Sequence, residues 1–212
     1  LPGVYLIWAH REAMQYSGNH RVMVESFLDG PQFSTESIIQ NGRVLFTSIG
    51  LRNYARLNEF EPYCIEDGFD GPDMRYNVDG LIERACRALY WYQGDFGGTV
   101  KGDLVLHDGE MHIIELAARL SGGYFASHGH QLMHGVDFVG IAARLALGDT
   151  IRYIERGSGI PGSQRYVFPV PDDIGKRVAY LPPFPGGVEY AAWHIRVGDT
   201  ITDNKQLTND NF

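Results

Sequence analysis

The chain has 212 residues, of which 44% are hydrophobic, 12% aromatic and 21% charged, as in an ordinary globular protein. Its formal net charge of −8 and its lack of a basic run argue against a nucleic-acid surface, because phosphate binding needs clustered Lys and Arg. No signal peptide or apolar stretch of membrane-spanning length is visible, and the two cysteines, Cys64 and Cys86, are far apart. These features predict a cytoplasmic protein with reduced thiols that binds neither nucleic acid nor membranes.

The hydrophobic pattern predicts both helices and strands along the first 150 residues. In chain order, the expected elements are a helix near His10–Tyr16, strands near Arg21–Leu28, Phe33–Gln40 and Val44–Leu51, a loop over Arg52–Asp73, and helices at Val78–Trp91 and Val136–Leu147, with a hairpin between the two last helices. Past Thr150, six prolines and many glycines separate short strands such as Arg165–Val170 and Val188–Ile195. We therefore predict an α+β fold, an antiparallel sheet flanked by helices over residues 1–150, with a small β-rich appendage over residues 151–212.

The predicted hairpin carries two carboxylates, Asp103 and Glu115, twelve residues apart across a glycine turn. Apolar and polar residues alternate through it, so one face should pack on the core and the other should carry the carboxylates. The expected apolar row is Val100, Leu104, Leu106, Ile114 and Leu116. Both strands present this row on one face only if the turn has an odd number of residues, which predicts a three-residue loop at His107-Asp108-Gly109. With that loop, Asp103 and Glu115 meet on one face of the sheet.

Two carboxylates and a nearby Arg suit Mg²⁺, a hard cation that takes a few carboxylate oxygens and leaves its other positions to water and phosphate. Arg119 would then bind an anion. The alternative is that Asp103 and Glu115 form ion pairs with Lys101 and Arg119 on a solvated strand face. The spacing alone does not choose between these interpretations.

A second block, running V-M-V-E-S-F-L-D-G-P-Q-F-S-T-E-S from Val22 to Ser37, resembles the adenine-binding hinge of the ATP-grasp superfamily of carboxylate–amine ligases. The hairpin, with E-L-A-A-R-L-S-G-G, resembles the block that binds magnesium and phosphates in that family. The resemblance extends from about Leu1 to Asp149 and implies the carboxyl half of an ATP-grasp domain. The first ATP-binding subdomain of the family would precede Leu1, so we expect the chain to be a fragment or the ordered part of a longer protein.

The resemblance implies ATP and Mg²⁺ as cofactors and assigns roles to matching residues. The adenine and ribose would contact Glu25, Ser26, Phe27, Leu28 and Gln32. Asp103 and Glu115 would bind magnesium, and Arg119 would act with Glu115 in catalysis by stabilising the transferred phosphate. The acceptor substrate would contact Ser121, Gly122, Gly123 and His128.

Two positions depart from the family pattern. Ala117 stands where many members carry an Asn ligand, which leaves the number of magnesium ions open, and Gln32 stands where an acidic residue commonly binds the ribose. His128, His130 and His134 are close enough in sequence to suggest zinc, but they lack Cys or carboxylate partners, which favours a substrate pocket or core hydrogen bonds.

The implied activity is an ATP-dependent ligase that joins a small-molecule carboxylate to an amine through an acyl phosphate, with amino-acid-like substrates as the leading expectation. Two alternatives remain: a non-catalytic nucleotide-binding or regulatory module, and a structural domain whose carboxylates merely form ion pairs. A homodimer is compatible with the sequence, which names neither the substrates nor the oligomeric state.

Overall fold

A six-stranded antiparallel sheet organises the computed structural model, which describes residues 3–54, 66–155, 157, 160–169 and 171–202. Its strands are β1 (Gln32–Gln40), β2 (Arg43–Asn53), β3 (Gly68–Gly71), β4 (Gly97–His107), β5 (Glu110–Ala117) and β6 (Gly162–Arg165). Its helices are α1 (Gly3–Tyr16), α2 (Asp79–Ala88), α3 (His130–His134) and α4 (Phe138–Ala146), with a π-helical turn at Phe125–Gly129 and a 3₁₀ turn at Pro171–Asp173. The strand order is β5-β4-β1-β2-β3-β6, so the predicted antiparallel sheet flanked by helices is confirmed.

Hydrophobic side chains cover the two faces of this sheet differently. On one face, a core of eight buried residues joins the sheet to α2: Phe33, Ile39, Ile49, Val78, Ile82, Cys86, Val100 and Leu104. On the opposite face, α4 and the segment after it pack over Ile38 and Phe46. Fully burying one such side chain contributes roughly 1.5 to 3 kcal/mol. The helices thus leave part of the second face, further along β1, to polar residues.

The register of β1 and β4 puts polar residues together on that second face. Ser34 pairs with Asp103 and Glu36 pairs with Lys101, and paired residues of an antiparallel ladder point to the same side. Gln32, two positions before Ser34, lies on the same face by strand alternation. A polar row therefore runs along the centre of the sheet.

The hairpin between β4 and β5 brings the two carboxylates together, but not by the predicted turn. Asp103 pairs directly with Glu115, which confirms that they meet. The turn itself has two residues, Asp108 and Gly109, both with positive φ (50° and 82°), so the three-residue loop is wrong. The extra residue lies in strand β5 instead. Leu104 pairs with Ile113, directly after Asp103 pairs with Glu115, and Ile114 is left unpaired as a β-bulge.

This bulge also corrects the predicted apolar row. Ile114 is 46% exposed, whereas Met111, Ile113 and Leu116 pack against the core on the α2 side. The extra residue shifts the alternation by one position, so the inward side chains are odd-numbered before the bulge and even-numbered after it.

The strand predicted at Arg21–Leu28 is absent, and residues 21–28 form no regular structure. Met23, Val24 and Phe27 are 74 to 86% exposed, and no described strand pairs with this segment. A run of β-forming residues becomes a strand only when a neighbouring edge offers backbone hydrogen bonds. The following residues contact β4: the Asp29 carbonyl accepts a hydrogen bond from Nδ1 of His107 at 2.8 Å, and the Pro31 carbonyl accepts one from the Leu106 backbone N–H at 3.0 Å.

Two further predictions need correction. The predicted loop Arg52–Asp73 contains strand β3, while residues 55–65 of this loop lie outside the described residues. In the tail, β6 begins and ends earlier than the predicted Arg165–Val170 strand and pairs with β3 in the main sheet, and residues 188–195 form no strand. The boundary near residue 150 stays a prediction. Among the described helices, none is long and apolar enough to cross a membrane, and the cytoplasmic location likewise remains a prediction.

Candidate functional site

Asp103 is the centre of a charged cluster on the polar face of the sheet. It forms an ion pair with Lys101, and its Oδ1 lies 3.3 Å from Nη1 of Arg52. Lys101 also reaches across to β5, where its Nζ lies 3.7 Å from Oε1 of Glu115. The ammonium group of Lys101 therefore lies between the two carboxylates that the hairpin pairs.

A second acidic residue extends the cluster on the Arg52 side. Arg52 donates a hydrogen bond from Nε to Oε2 of Glu66 at 2.8 Å, so its guanidinium joins Glu66 to Asp103. The side chains of all three are at least four-fifths buried. Burial raises the pKa of Glu66, and the hydrogen bond from Arg52 opposes that rise. The cluster is thus a partly desolvated network in which each charge depends on its neighbours.

The oxygen ligands in this cluster match a hard cation such as Mg²⁺. Asp103 Oδ1 is buried and accepts no hydrogen bond within the described part of the chain, although Arg52 lies near it. Glu115 faces Asp103 with its side chain 60% exposed. No group of three or more His, Cys, Asp or Glu side chains in the described residues could hold a metal, so a cation here would bind these two carboxylates, with water or phosphate oxygens completing its ligands.

The ion-pair interpretation from the sequence applies only in part. Lys101 contacts both Asp103 and Glu115, as that interpretation expects. Arg119 instead donates a hydrogen bond from Nη1 to the Leu120 carbonyl at 2.9 Å, and its side chain is exposed. Arg119 therefore lies at the surface at the end of β5, where an anionic ligand can approach its guanidinium.

Glu36 is a buried carboxylate on the same face, and it belongs to neither of the two sequence blocks' predicted ligands. It has no exposed surface, and its Oε2 accepts a hydrogen bond from the backbone N–H of Ser121 at 2.8 Å. Burial raises the pKa of Glu36 to about 7, while the interactions with Ser121, Arg119 and Lys101 oppose that rise. Its position two residues from Ser34, in phase with Gln32, was the only signal in the sequence.

The residues predicted to contact the acceptor substrate lie together after β5. Ser121 is bonded to Glu36, Gly122 is exposed with open space around it, and the Gly123 carbonyl accepts a hydrogen bond from Gln164 at 2.5 Å. His128 follows in the π-helical turn, where its ring lies 4.2 Å from that of Tyr190. The tail after residue 160 therefore contacts this segment at Gly123 and His128, among other residues.

The residues predicted to bind nucleotide are only partly brought to the site. Gln32 lies on the polar face and accepts a hydrogen bond from the Tyr54 hydroxyl at 3.0 Å. Glu25, Ser26 and Phe27 are exposed, and Phe27 is 86% exposed. Leu28 is half-buried. The structure thus connects the hinge block to the site through the chain leading into β1.

The three histidines weighed as zinc ligands do not converge. His130 is fully buried, and its Nδ1 is hydrogen-bonded to the Ser48 hydroxyl at 2.5 Å. Burial lowers the pKa of His130 to about 3, which keeps the ring neutral. The His134 ring lies 5.0 Å from that of Phe46, and His128 contacts Tyr190 instead. His130 is therefore a core hydrogen-bonding residue.

Arg52 and Glu66 also belong to the site, although no sequence motif marks either residue. Both lie at the ends of a loop whose charges are ordinarily solvated, which favours the interpretation of Arg52 as a surface residue. The structure places Arg52 on β2 with its guanidinium between Glu66 and Asp103. Only the strand pairing, which one sequence does not reveal, brings these residues together.

Replacing Asp103 should destabilise the protein in the absence of any ligand. Asp103→Asn leaves Lys101 and Arg52 without their shared buried partner, and breaking such a pair costs about 3 to 5 kcal/mol. We expect a loss of about 2 to 4 kcal/mol in the free energy of unfolding, measured by urea denaturation. Asp70→Asn is the matched control, because Asp70 pairs with Arg165 at a half-exposed position and should cost about 1 kcal/mol or less. Equal effects of the two substitutions would contradict the central position of Asp103.

The comparisons with known proteins agree with this architecture. No family model matches the sequence, and no curated protein matches it. In structure, the chain is similar to phosphoribosylglycinamide synthetase from Anaerococcus prevotii, with 17% identity and a TM-score of 0.66 over 93% of this chain and 50% of that one. It thus spans half the length of that synthetase.

Two other solved structures match smaller parts of the chain. One is the L-amino acid ligase from Bacillus licheniformis, with 28% identity and a TM-score of 0.44 over 57% of this chain and 30% of that one. The other is N5-carboxyaminoimidazole synthetase from Staphylococcus aureus complexed with ADP, with 13% identity and a TM-score of 0.44 over 62% of this chain and 34% of that one.

Proposed function

We propose that this chain, which has the fold of the ATP-grasp superfamily, belongs to an ATP-dependent ligase that joins a carboxylate to an amine. The observation that carries the proposal is the pairing of Asp103 with Glu115 across β4 and β5, beside Lys101. The structural similarity to phosphoribosylglycinamide synthetase over 93% of this chain supports the fold and is compatible with this activity. Amino-acid-like substrates remain the leading expectation.

In the proposed reaction, a carboxylate oxygen of the substrate attacks the γ-phosphorus of ATP, and ADP leaves. The amine then attacks the carbonyl carbon of the acyl phosphate, phosphate leaves, and the amide forms as the nitrogen loses its proton. Asp103 and Glu115 would hold Mg²⁺, which neutralises charge on the phosphates when bound. Lys101 and Arg119, which are adjacent through a backbone hydrogen bond of 3.1 Å, add positive charge beside the end of β5, where they would stabilise the transferred phosphate.

The segment after Arg119 is suited to binding the acceptor substrate, whose carboxylate receives the phosphoryl group. Gly122 presents a backbone with open space around it, so a substrate group can approach its N–H closely. His128 and Tyr190 lie beyond it and would line the far side of an acceptor pocket. The exposed hinge at Glu25 to Leu28 would contact adenine through its backbone groups.

A non-catalytic nucleotide-binding module is the second candidate, favoured by the lack of a third metal ligand near Asp103 and Glu115 in the described residues. Ala117 contributes to this lack, because it stands where many members of the superfamily carry an Asn ligand. Both candidates predict nucleotide binding, whereas only the ligase predicts substrate-dependent release of phosphate.

Nucleotide binding is tested by thermal melting of the full-length protein with ATP and Mg²⁺. At a ligand concentration of about 100 times Kd, binding to the folded state adds about 2.7 kcal/mol, which corresponds to a rise in Tm of roughly 5 to 10 °C. ATP with EDTA and Mg²⁺ alone are the controls, and each should give a much smaller rise. An equal Tm under all conditions would refute both nucleotide-dependent candidates and favour the purely structural alternative.

A further inference from the structure

A glutamate at position 36, at the centre of this sheet, is unfavourable for the stability of the fold. It is fully buried, and its Oε1 accepts no hydrogen bond within the described residues. A buried carboxylate with one unsatisfied oxygen destabilises a fold relative to an apolar side chain of similar size. Packing alone therefore gives no reason for a glutamate at this position.

A hydrogen bond to Glu36 joins the middle of β1 to a segment 85 residues later. Its Oε2 receives the backbone N–H of Ser121 at 2.8 Å. Ser121 lies two residues after Arg119 and directly before the exposed Gly122. The carboxylate thus links the floor of the site to the segment expected to contact substrate.

The same stretch is anchored at two more places. On one side, the Arg119 carbonyl accepts a hydrogen bond from the Lys101 backbone N–H at 3.1 Å. On the other, the Gly123 carbonyl accepts hydrogen bonds from the Gln164 side chain and the Tyr166 hydroxyl. Between these anchors, a Cβ built on Gly122 would meet no atom within 4 Å. The segment is held at both ends and open in the middle.

From this arrangement we infer that Glu36 is a positioning residue that holds the Ser121–Gly123 backbone in place as a binding loop for the acceptor substrate, the one whose carboxylate receives the phosphoryl group in the proposed reaction. The inference about the substrate rests on the proposed function, whereas the inference that Glu36 holds the loop does not. Glu36 acts through the Ser121 N–H and does not contact substrate, since it is fully buried. A fixed loop lowers the entropy lost when a ligand binds.

Hydrogen exchange of the Ser121 amide, measured by NMR on the full chain, tests the inference without any nucleotide or substrate. Glu36→Leu removes the acceptor, and the exchange rate at Ser121 should rise by about 10- to 100-fold. Glu36→Gln keeps a side-chain carbonyl at the same reach, so its exchange rate should stay within about threefold of wild type.

A matched control is available on the other face of the sheet. Glu83 on α2 accepts the backbone N–H of Val44 at 2.9 Å, so it makes the same kind of bond to a different segment. Glu83→Leu should speed exchange at Val44 and leave Ser121 unchanged. If Glu36→Leu does not fold, Glu36→Asp replaces it, because the shorter carboxylate withdraws from Ser121 and should also speed its exchange.

Two results would overturn the inference. One is an unchanged Ser121 exchange rate in Glu36→Leu or Glu36→Asp, and the other is a rise in Glu36→Gln as large as in those variants. Where the full-length protein shows ligase activity, positioning further predicts that Glu36→Leu raises KM for the acceptor by at least about tenfold and leaves KM for ATP within about twofold. Equal changes in both constants would contradict a role specific to the loop. Absence of ligase activity would refute the proposed function and leave the exchange result standing.

Discussion

Glu115→Gln should abolish Mg²⁺-dependent ATP turnover in the full-length protein while leaving its stability unchanged. The Glu115 side chain is 60% exposed, and the ion pair it makes, with Lys101 at 3.7 Å, is long. Exposed pairs of this kind contribute about 0 to 1 kcal/mol, so urea denaturation should show a change of less than about 1 kcal/mol. Turnover should fall by at least about 100-fold, because the amide cannot neutralise a cation beside the phosphates.

Glu110→Gln is the matched control for this substitution. Glu110 is exposed at the start of the same strand, next to the turn and away from Asp103. It should retain wild-type turnover within about twofold. Retained turnover in Glu115→Gln would remove Glu115 from the metal site, and a large loss of stability would show that its role is structural.

Glu36→Gln should stabilise the protein, and more so at higher pH. The pKa of Glu36 is raised to about 7 by burial from an ordinary value of 4.5, so the folded state binds this proton more tightly than the unfolded state does. The contribution of Glu36 to stability therefore declines as pH rises from about 4.5 to 7 and is constant above that range. The full difference corresponds to about 3 kcal/mol.

Gln carries no charge at any pH, so the stability of the variant does not decline with pH through this residue. At pH 5 the variant and wild type should have nearly the same free energy of unfolding, whereas at pH 8 the variant should be more stable by up to about 3 kcal/mol. Urea denaturation at both pH values measures the difference, with Glu83→Gln as the control, since Glu83 is only partly buried. A difference that does not grow with pH would contradict a buried, weakly acidic Glu36.

The meeting of Asp103 and Glu115 could be predicted because strand alternation restricts the register of a half-buried hairpin. The irregularity in the hairpin that produces this pairing could not be predicted. An odd residue in the turn and an odd residue in the strand give the same pairing, and the Asp108-Gly109 turn with a bulge at Ile114 satisfies the apolar pattern equally well. The hydrophobic pattern fixes the parity of the hairpin and leaves the position of the extra residue open.

Residues 21–28 show the limit of β-propensity. Val22, Met23 and Val24 favour a strand locally, but a strand also needs a partner strand, and none of the described strands pairs with this segment. The adenine-binding role of this block therefore rests on resemblance alone. The sequence indicates which residues of this block would bind adenine, but it does not determine their arrangement around a ligand.

The charged cluster contains residues that sequence patterns could not assemble. Arg52 comes from β2, Glu66 lies just before β3, and Glu36 comes from the strand next to β4. Their proximity to Asp103 follows from the strand order β5-β4-β1-β2-β3, in which β1 lies between β4 and β2. Hairpin contacts are local and readable from spacing, whereas contacts between distant strands depend on the topology of the whole sheet.

The proposed ligase reaction is tested most directly by following ¹⁸O from a labelled carboxylate. The full-length protein would be incubated with ATP, Mg²⁺, ammonia or amino acids, and a pool of small carboxylates labelled in both oxygens, and the released phosphate would be analysed by mass spectrometry. Attack of the carboxylate on the γ-phosphorus predicts phosphate that carries one ¹⁸O atom, formed only when Mg²⁺ and the matching carboxylate are both present. Release of unlabelled phosphate, or no release alongside tight nucleotide binding, would contradict the acyl-phosphate reaction and favour the non-catalytic module.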